Sequence, residues 1–197
     1  MRLILVRHAE SEANASKTNQ GQGQGKLTRH GKQQAKRLAH RLADMDIDRV
    51  YTSDLERVKQ TLDSLMTIRG DIPVTITASL RERNLGIFEG TPYGSVKAAM
   101  AKAGTTYLAF EPPEGESIIE MGDRVEAFVR ELIAKHGNET VALYTHGGPV
   151  TEIAMRLLEV PEEQFGQWHP QNAEFTVIDI LDGEPVLVSQ NENGHLR

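Results

Sequence analysis

The chain has 197 residues, 39% of them hydrophobic and 25% charged, which suits one sizeable core and a single domain spanning 1–197. A net charge of −6 without a clustered Lys/Arg run argues against a nucleic-acid partner, and the lack of cysteine excludes disulfides, thiolate metal sites and a cysteine nucleophile. No apolar run approaches the ~20 residues of a membrane span, and no secretory signal precedes the first strand, so no membrane contact and a cytoplasmic location are expected.

Met1 to His8 is an apolar run that ends in Arg7-His8. Four consecutive aliphatic residues bounded by charge predict a strand buried on both faces, as in parallel sheets. Ligands in open α/β sheets bind beyond the carboxyl ends of the strands, which places Arg7 and His8 where chemistry is expected. The second Arg-His pair, Arg29-His30, lies in a polar stretch at the start of a helix and is expected on a solvated face. Residues 9–14 read as a small-residue polar loop. Residues 15–26, rich in Gly and Gln, read either as a flexible connector or as a loop at the site's edge whose glycines let backbone amides approach an anion. Leu27, Gly31, Ala35, Leu38 and Leu42 recur at helical spacing and predict an amphipathic helix over about 28–44.

Arg49 to Thr52 predicts a second strand, and Ser53-Asp54-Leu55-Glu56 carries the spacing of a capping box opening a helix that closes near Gly70. Arg57 then falls in the first turn, where a cation opposes the helix dipole; an anionic ligand there would favour both. Pro73 to Thr77 predicts a third strand, followed by Glu82 between two arginines. Residues 87–116 are irregular, with a short helix around 95–103, and read as an insertion forming a substrate-facing wall. Ser117 to Glu120 is a second capping box, starting a helix that reaches Gly137. Thr140 to Tyr144 is another buried strand, which ends in Thr145-His146-Gly147-Gly148 and is followed by a helix ending before Pro161. Residues 175–180 and 185–188 predict a hairpin about Asp182-Gly183, and residues 191–197 are expected to fray. Phe165 and Trp168 stand in a polar stretch, as core or as interface.

Alternating strands and helices predict an α/β fold with a mainly parallel central sheet flanked by helices on both faces. Strand ends deliver Arg7, His8, Arg57 and His146, and a loop delivers Glu82. Two histidines, two arginines and one carboxylate suit a tetrahedral dianion better than a metal, because arginine forks match phosphate oxygens. No metal-ligand spacing is present, and no metal or other cofactor is expected.

The segments Leu5-Val6-Arg7-His8-Ala9-Glu10-Ser11-x-x-Asn14, Ser53-x-Leu55-x-Arg57-x-x-x-Thr61, Leu80-x-Glu82-x-x-x-Gly86-x-x-Glu89-Gly90 and Thr145-His146-Gly147-Gly148 together resemble the histidine phosphatase superfamily, in its phosphoglycerate-mutase-like branch. The likeness extends over almost the whole chain and includes Gln20-Gly21, Gly115-Glu116-Ser117 and Asn172-Ala173. It implies a three-layer sandwich and a two-step reaction through a phosphohistidine on His8. Arg7, Arg57 and His146 would neutralise the phosphoryl oxygens, and Glu82 would protonate the leaving group and then activate water. Asn14, Gln20, Gly21 and Gly147 match positions that line the family's phosphate pocket.

Ala9 replaces the family's usual Gly after the histidine. The Asp and Pro common after Gln-Gly are replaced by Gln24 and Lys26, and the Arg common before it is absent; these changes fall on substrate-contacting loop positions. The segment between Glu82 and His146 is short, resembling phosphatases for small metabolites, including α-ribazole phosphate, more than the glycolytic mutases. A metal-independent phosphomonoesterase acting on a small phosphorylated metabolite is therefore the leading expectation. The alternatives are mutase-type phosphoryl transfer, for which only Lys97 and Lys102 supply extra cations, and a phosphate-binding module without turnover.

Overall fold

A computed structural model describes residues 1–197. Six strands form one sheet in the order β3-β2-β4-β1-β5-β6, with β1 at Arg2–Arg7, β2 at Arg49–Ser53, β3 at Val74–Thr77, β4 at Thr140–Thr145, β5 at Phe175–Leu181 and β6 at Glu184–Glu192. The first four run parallel, and β5 pairs antiparallel with both β1 and β6.

Side chains alternate across a strand, so a strand covered on both faces must be apolar throughout. In β1, Ile4 and Val6 join one core cluster while Leu3 and Leu5 join the other, and all four are fully buried. In β4, Ala142 and Tyr144 face the first cluster and Val141 and Leu143 the second. Helices α2 (Arg29–Ala43) and α3 (Glu56–Ile68) cover the first face through Leu38, Leu42, Val58, Leu62 and Leu65. Helices α5 (Ile118–Lys135) and α6 (Gly147–Leu157) cover the second through Val125, Val129, Val150 and Ile153. Each such aliphatic side chain contributes on the order of 1.5–3 kcal/mol, and the result is the three-layer sandwich expected from the sequence.

The Ser117 capping box forms as expected: its side chain accepts from Glu120 N, and Glu120 reaches back to the Ser117 backbone. The one expected at Ser53 does not form. Ser53 is still the last residue of β2, the N-cap of α3 is Leu55, and the Ser53 hydroxyl is turned to His146 Nε2 at 3.0 Å. Gly70 follows the C-cap Arg69, directly past the end of α3 as expected, but it does not take the left-handed conformation of a Schellman turn. Residues 9–14 are not wholly loop, since a Ser11–Asn14 capping box starts the short helix α1 (Glu12–Ala15). Arg29 and His30 are exposed, in line with a solvated face.

The carboxyl terminus is held rather than frayed. β6 runs to Glu192; Arg37 Nη1 donates to Leu196 O at 2.9 Å, and Asn193 Nδ2 donates to Glu174 Oε1 at 2.9 Å. The sequence reading missed these ties because their partners lie about 160 and 19 residues away. Trp168, on the short helix α7 (Phe165–Trp168), packs into the second core cluster. Residues 87–116 contain α4 (Ser95–Ala103) and are sewn to the loop after α1 by backbone bonds from Gly90 N to Asn19 O and from Asn19 N to Thr91 O, both 2.8 Å.

Replacing Ser117 with Ala should cost about 1 kcal/mol, the usual value of a side-chain N-cap. Urea unfolding monitored by circular dichroism reads this as a lower midpoint with an unchanged slope.

Candidate active site

The register that sets Arg7 opposite Thr145 makes β1 and β4 release their polar residues at the same level. There the sheet edge opens into a cavity of about 320 Å³ whose wall includes Arg7, His8, Asn14, Gln20, Gly21, Arg57 and Glu82.

His8 is only 4% exposed. Its Nδ1 lies 2.8 Å from the Ala9 carbonyl oxygen. A carbonyl can only accept, so Nδ1 carries the hydrogen and Nε2 the lone pair. Arg57 Nε–H donates to that Nε2 at 3.2 Å. Burial first, then the charges of Arg57 and Arg7, push the His8 pKa well below its ordinary value. The ring is therefore a neutral base whose free lone pair is defined by its surroundings.

Arg57 is 1% exposed and has no carboxylate partner. Its Nη1 and Nη2 donate to the carbonyls of Gly23 at 2.9 Å and Gly21 at 2.7 Å. The Gly/Gln loop thus turns carbonyls toward a cation, where the sequence suggested amides toward an anion. Burial lowers the Arg57 pKa to about 10 against the opposing pull of Glu82 and Glu89, which leaves it a cation at neutral pH. Arg7 donates from Nη1 to the Pro170 carbonyl and approaches His169 Nε2 at 3.4 Å, while its Nε is buried without a partner.

Glu82 accepts from Arg83 N at 2.9 Å and from Gly148 N, at the start of α6, at 3.3 Å. A side chain at 148 would displace the Glu82 carboxylate and, at 3.0 Å, press on Met121 Cε, so glycine lets the carboxylate keep this position. Asn14 Oδ1 accepts from Ser11 N and Asn172 Nδ2, both at 3.1 Å, which leaves its amide nitrogen toward Tyr93 Oη at 3.4 Å. Gln20 Oε1 accepts from Ser11 Oγ at 2.8 Å, and its Nε2 is buried and unpartnered.

Two of the expected residues stand behind the wall rather than on it. His146 is fully buried, with its ring 5.2 Å from that of His8 at 68° and its Nδ1 unpartnered. Burial, then Arg57 and His8, drive its pKa well below the ordinary value, so in this state it offers a dipole rather than the charge expected of it. Gly147 packs against His169 and Arg7, and Gly148 takes its place at the cavity.

The sequence reading missed His169, Arg83, Tyr93 and Tyr107 on the wall. His169 follows a short helix rather than a buried strand, so it lacks the signal that marked His8 and His146. The 87–116 segment contributes Tyr93, Val96, Lys97 and Tyr107 to the cavity.

A family model described as histidine phosphatase superfamily (branch 1) matches residues 3–193. The chain is 30% identical to phosphoserine phosphatase 1 of Hydrogenobacter thermophilus, an alignment covering 100% of this chain and 94% of that protein. It is also 30% identical to the adenosylcobalamin/alpha-ribazole phosphatase of Salmonella typhimurium, covering 95% and 94%. The crystal structure of the alpha-ribazole phosphatase from Shigella flexneri superposes with a TM-score of 0.87 at 27% identity, covering 98% of this chain and 96% of that one.

Burial first, then Arg7, lowers the His169 pKa to about 4. Below the unfolded value of about 6.5 the unfolded chain takes up a proton that the folded one refuses, so this stability is complete above pH 6.5 and is lost as pH falls toward 4. Denaturant titrations at pH 6 and pH 5 should therefore lose about 1 kcal/mol less for His169→Gln than for the wild type. Equal losses would mean that His169 is protonated in the folded state.

Proposed function

The chain belongs to the histidine phosphatase superfamily and is a phosphatase, and on that premise we propose that it hydrolyses a small phosphorylated metabolite, without a metal ion, through a phosphohistidine on His8. The observation that carries this reading is the buried, neutral imidazole of His8, whose Nδ1 is fixed as donor by the Ala9 carbonyl and whose Nε2 is met by Arg57. A satisfied structural histidine needs no two flanking cations, whereas a nucleophile for a phosphoryl group does.

In the first step Nε2 attacks phosphorus in line as the ester P–O bond breaks, and Glu82 gives its proton to the departing oxygen. In the second step the Glu82 carboxylate takes a proton from water, the water oxygen bonds to phosphorus, and the P–N bond breaks to return His8 and release phosphate. Arg7 and Arg57 meet the phosphoryl charge; donors of this kind contribute about 3 kcal/mol each. A phosphoryl dianion beside His146 would raise that imidazole's pKa and favour its charged form.

Hydrolysis of p-nitrophenyl phosphate should continue in EDTA and fall by at least ~10³ in kcat for His8→Ala, with Arg57→Ala losing about 10²–10³. Acid-sensitive phosphate bound to the wild-type protein, and absent from His8→Ala, would identify the intermediate. Transfer of the phosphoryl group to a second metabolite in place of release to water would overturn the hydrolase reading in favour of a mutase. Loss of all activity in EDTA would overturn metal independence.

A further inference from the structure

We propose that His169 is a positioning residue for the reaction above: held by Thr151, it pins one end of the Arg7 guanidinium and leaves the other edge free for the phosphoryl oxygens. This rests on the phosphatase reading. Arg7 makes both of its side-chain contacts through Nη1, which donates to the Pro170 carbonyl and approaches His169 Nε2 at 3.4 Å. Each guanidinium Nη carries two hydrogens, so those two acceptors occupy Nη1 fully. Nε is buried without a partner, and Nη2 has none in the chain either. The Nε and Nη2 hydrogens form one parallel edge, the one with which an arginine side chain grips two oxygens of a phosphoryl group.

The bonds behind His169 leave it one tautomer. Thr151 is fully buried on α6 and spends its only hydroxyl hydrogen on the Gly147 carbonyl at 2.9 Å. His169 Nδ1 lies 3.2 Å from that hydroxyl, so Nδ1 carries the hydrogen and Thr151 accepts it. Nε2 is left with the lone pair, which a guanidinium N–H requires. A second proton on the ring would set N–H against N–H, and burial together with the Arg7 charge, which lower the His169 pKa to about 4, keeps that state away at neutral pH. The ring itself is held in place: it stacks on Phe165 at 6.1 Å and 27°, and Gly147 lacks a Cβ where one would overlap the Cε1–Nε2 edge. A histidine kept only to fill space beside Phe165 would need neither the bond to Thr151 nor a lone pair turned to Arg7. Without that lone pair Nη1 keeps the Pro170 carbonyl alone, and a single contact does not fix the plane of a guanidinium. A misplacement of about 1 Å in such a group costs on the order of 10²-fold in rate.

The test compares His169→Phe, which keeps the stack on Phe165 but has no acceptor, with His169→Gln, whose Oε1 can take the place of Nε2. With p-nitrophenyl phosphate at neutral pH, His169→Phe should lose about tenfold or more in kcat with KM changed by less than about threefold, and His169→Gln should recover most of that loss. In an Arg7→Ala background the same His169→Phe change should cost less than about twofold, because the residue it acts through is gone. Thr151→Val removes the Nδ1 partner; it should lose a few-fold in kcat beside an intact Arg7 and nothing beside Arg7→Ala, and it carries the test if His169→Phe fails to fold. An equal fold loss in both backgrounds, or His169→Gln no better than His169→Phe, would overturn the proposal, leaving His169 a packing residue and the phosphatase reading intact. Unchanged kcat in both His169→Phe and Thr151→Val would also overturn it. Absence of hydrolysis by the wild type would be failure of the phosphatase reading itself, and the proposal would fall with it.

Discussion

The hydrogen bond from Arg57 to His8 is the constraint on which the rest of the site depends. It joins the first turn of α3 to the tip of β1 and keeps the imidazole lone pair aimed at a cation. It also requires the guanidinium to be buried without a carboxylate, and the protein meets that requirement with the carbonyls of Gly21 and Gly23. A carboxylate in their place would hold Arg57 more tightly but would cancel the charge the site offers to an anion. Carbonyl dipoles hold the cation in position and leave its charge available.

Position in the fold explains why the same few elements carry every group. β1, β2 and β4 are parallel neighbours, so their carboxyl ends present His8, Ser53 and His146 in one row. Ser53 then links the row sideways by bonding His146. The insertion after Glu82 closes the open side, and its backbone bonds to Asn19 tie it to the loop that also holds Arg57. The His8 end of the cavity and the end lined by Tyr93 and Tyr107 are in this way parts of one bonded frame.

Much of this was legible in the sequence because burial on both faces leaves a strong pattern. Leu3 to Val6 and Val141 to Tyr144 could be read as central strands, and the polar residues at their tips as the site. Arg57 stood out because a cation at a helix N-terminus conflicts with the dipole, and the structure places it fully inside. What the sequence did not display was pairing between distant residues. Ser53 has the spacing of a cap, but its hydroxyl is taken by a histidine 93 residues away. The chain ending carries no apolar pattern, yet side-chain bonds to α2 and to Glu174 hold it. His169 and Arg83 reach the cavity from irregular segments, where no periodicity marks the inward side.

The sheet order has a further consequence for how the molecule is made. β1 is the first strand of the chain and lies near the middle of the sheet, between β4, which begins at Thr140, and β5, which begins at Phe175. β1 therefore leaves the ribosome well before β4 and β5 are made to pair with its two edges. Contacts of such long sequence separation slow folding and prolong the exposure of an apolar strand. For this topology, Arg7 and His8 are made early and enclosed late, and the nascent Leu3–Val6 segment stays unpaired until β4 and β5 follow.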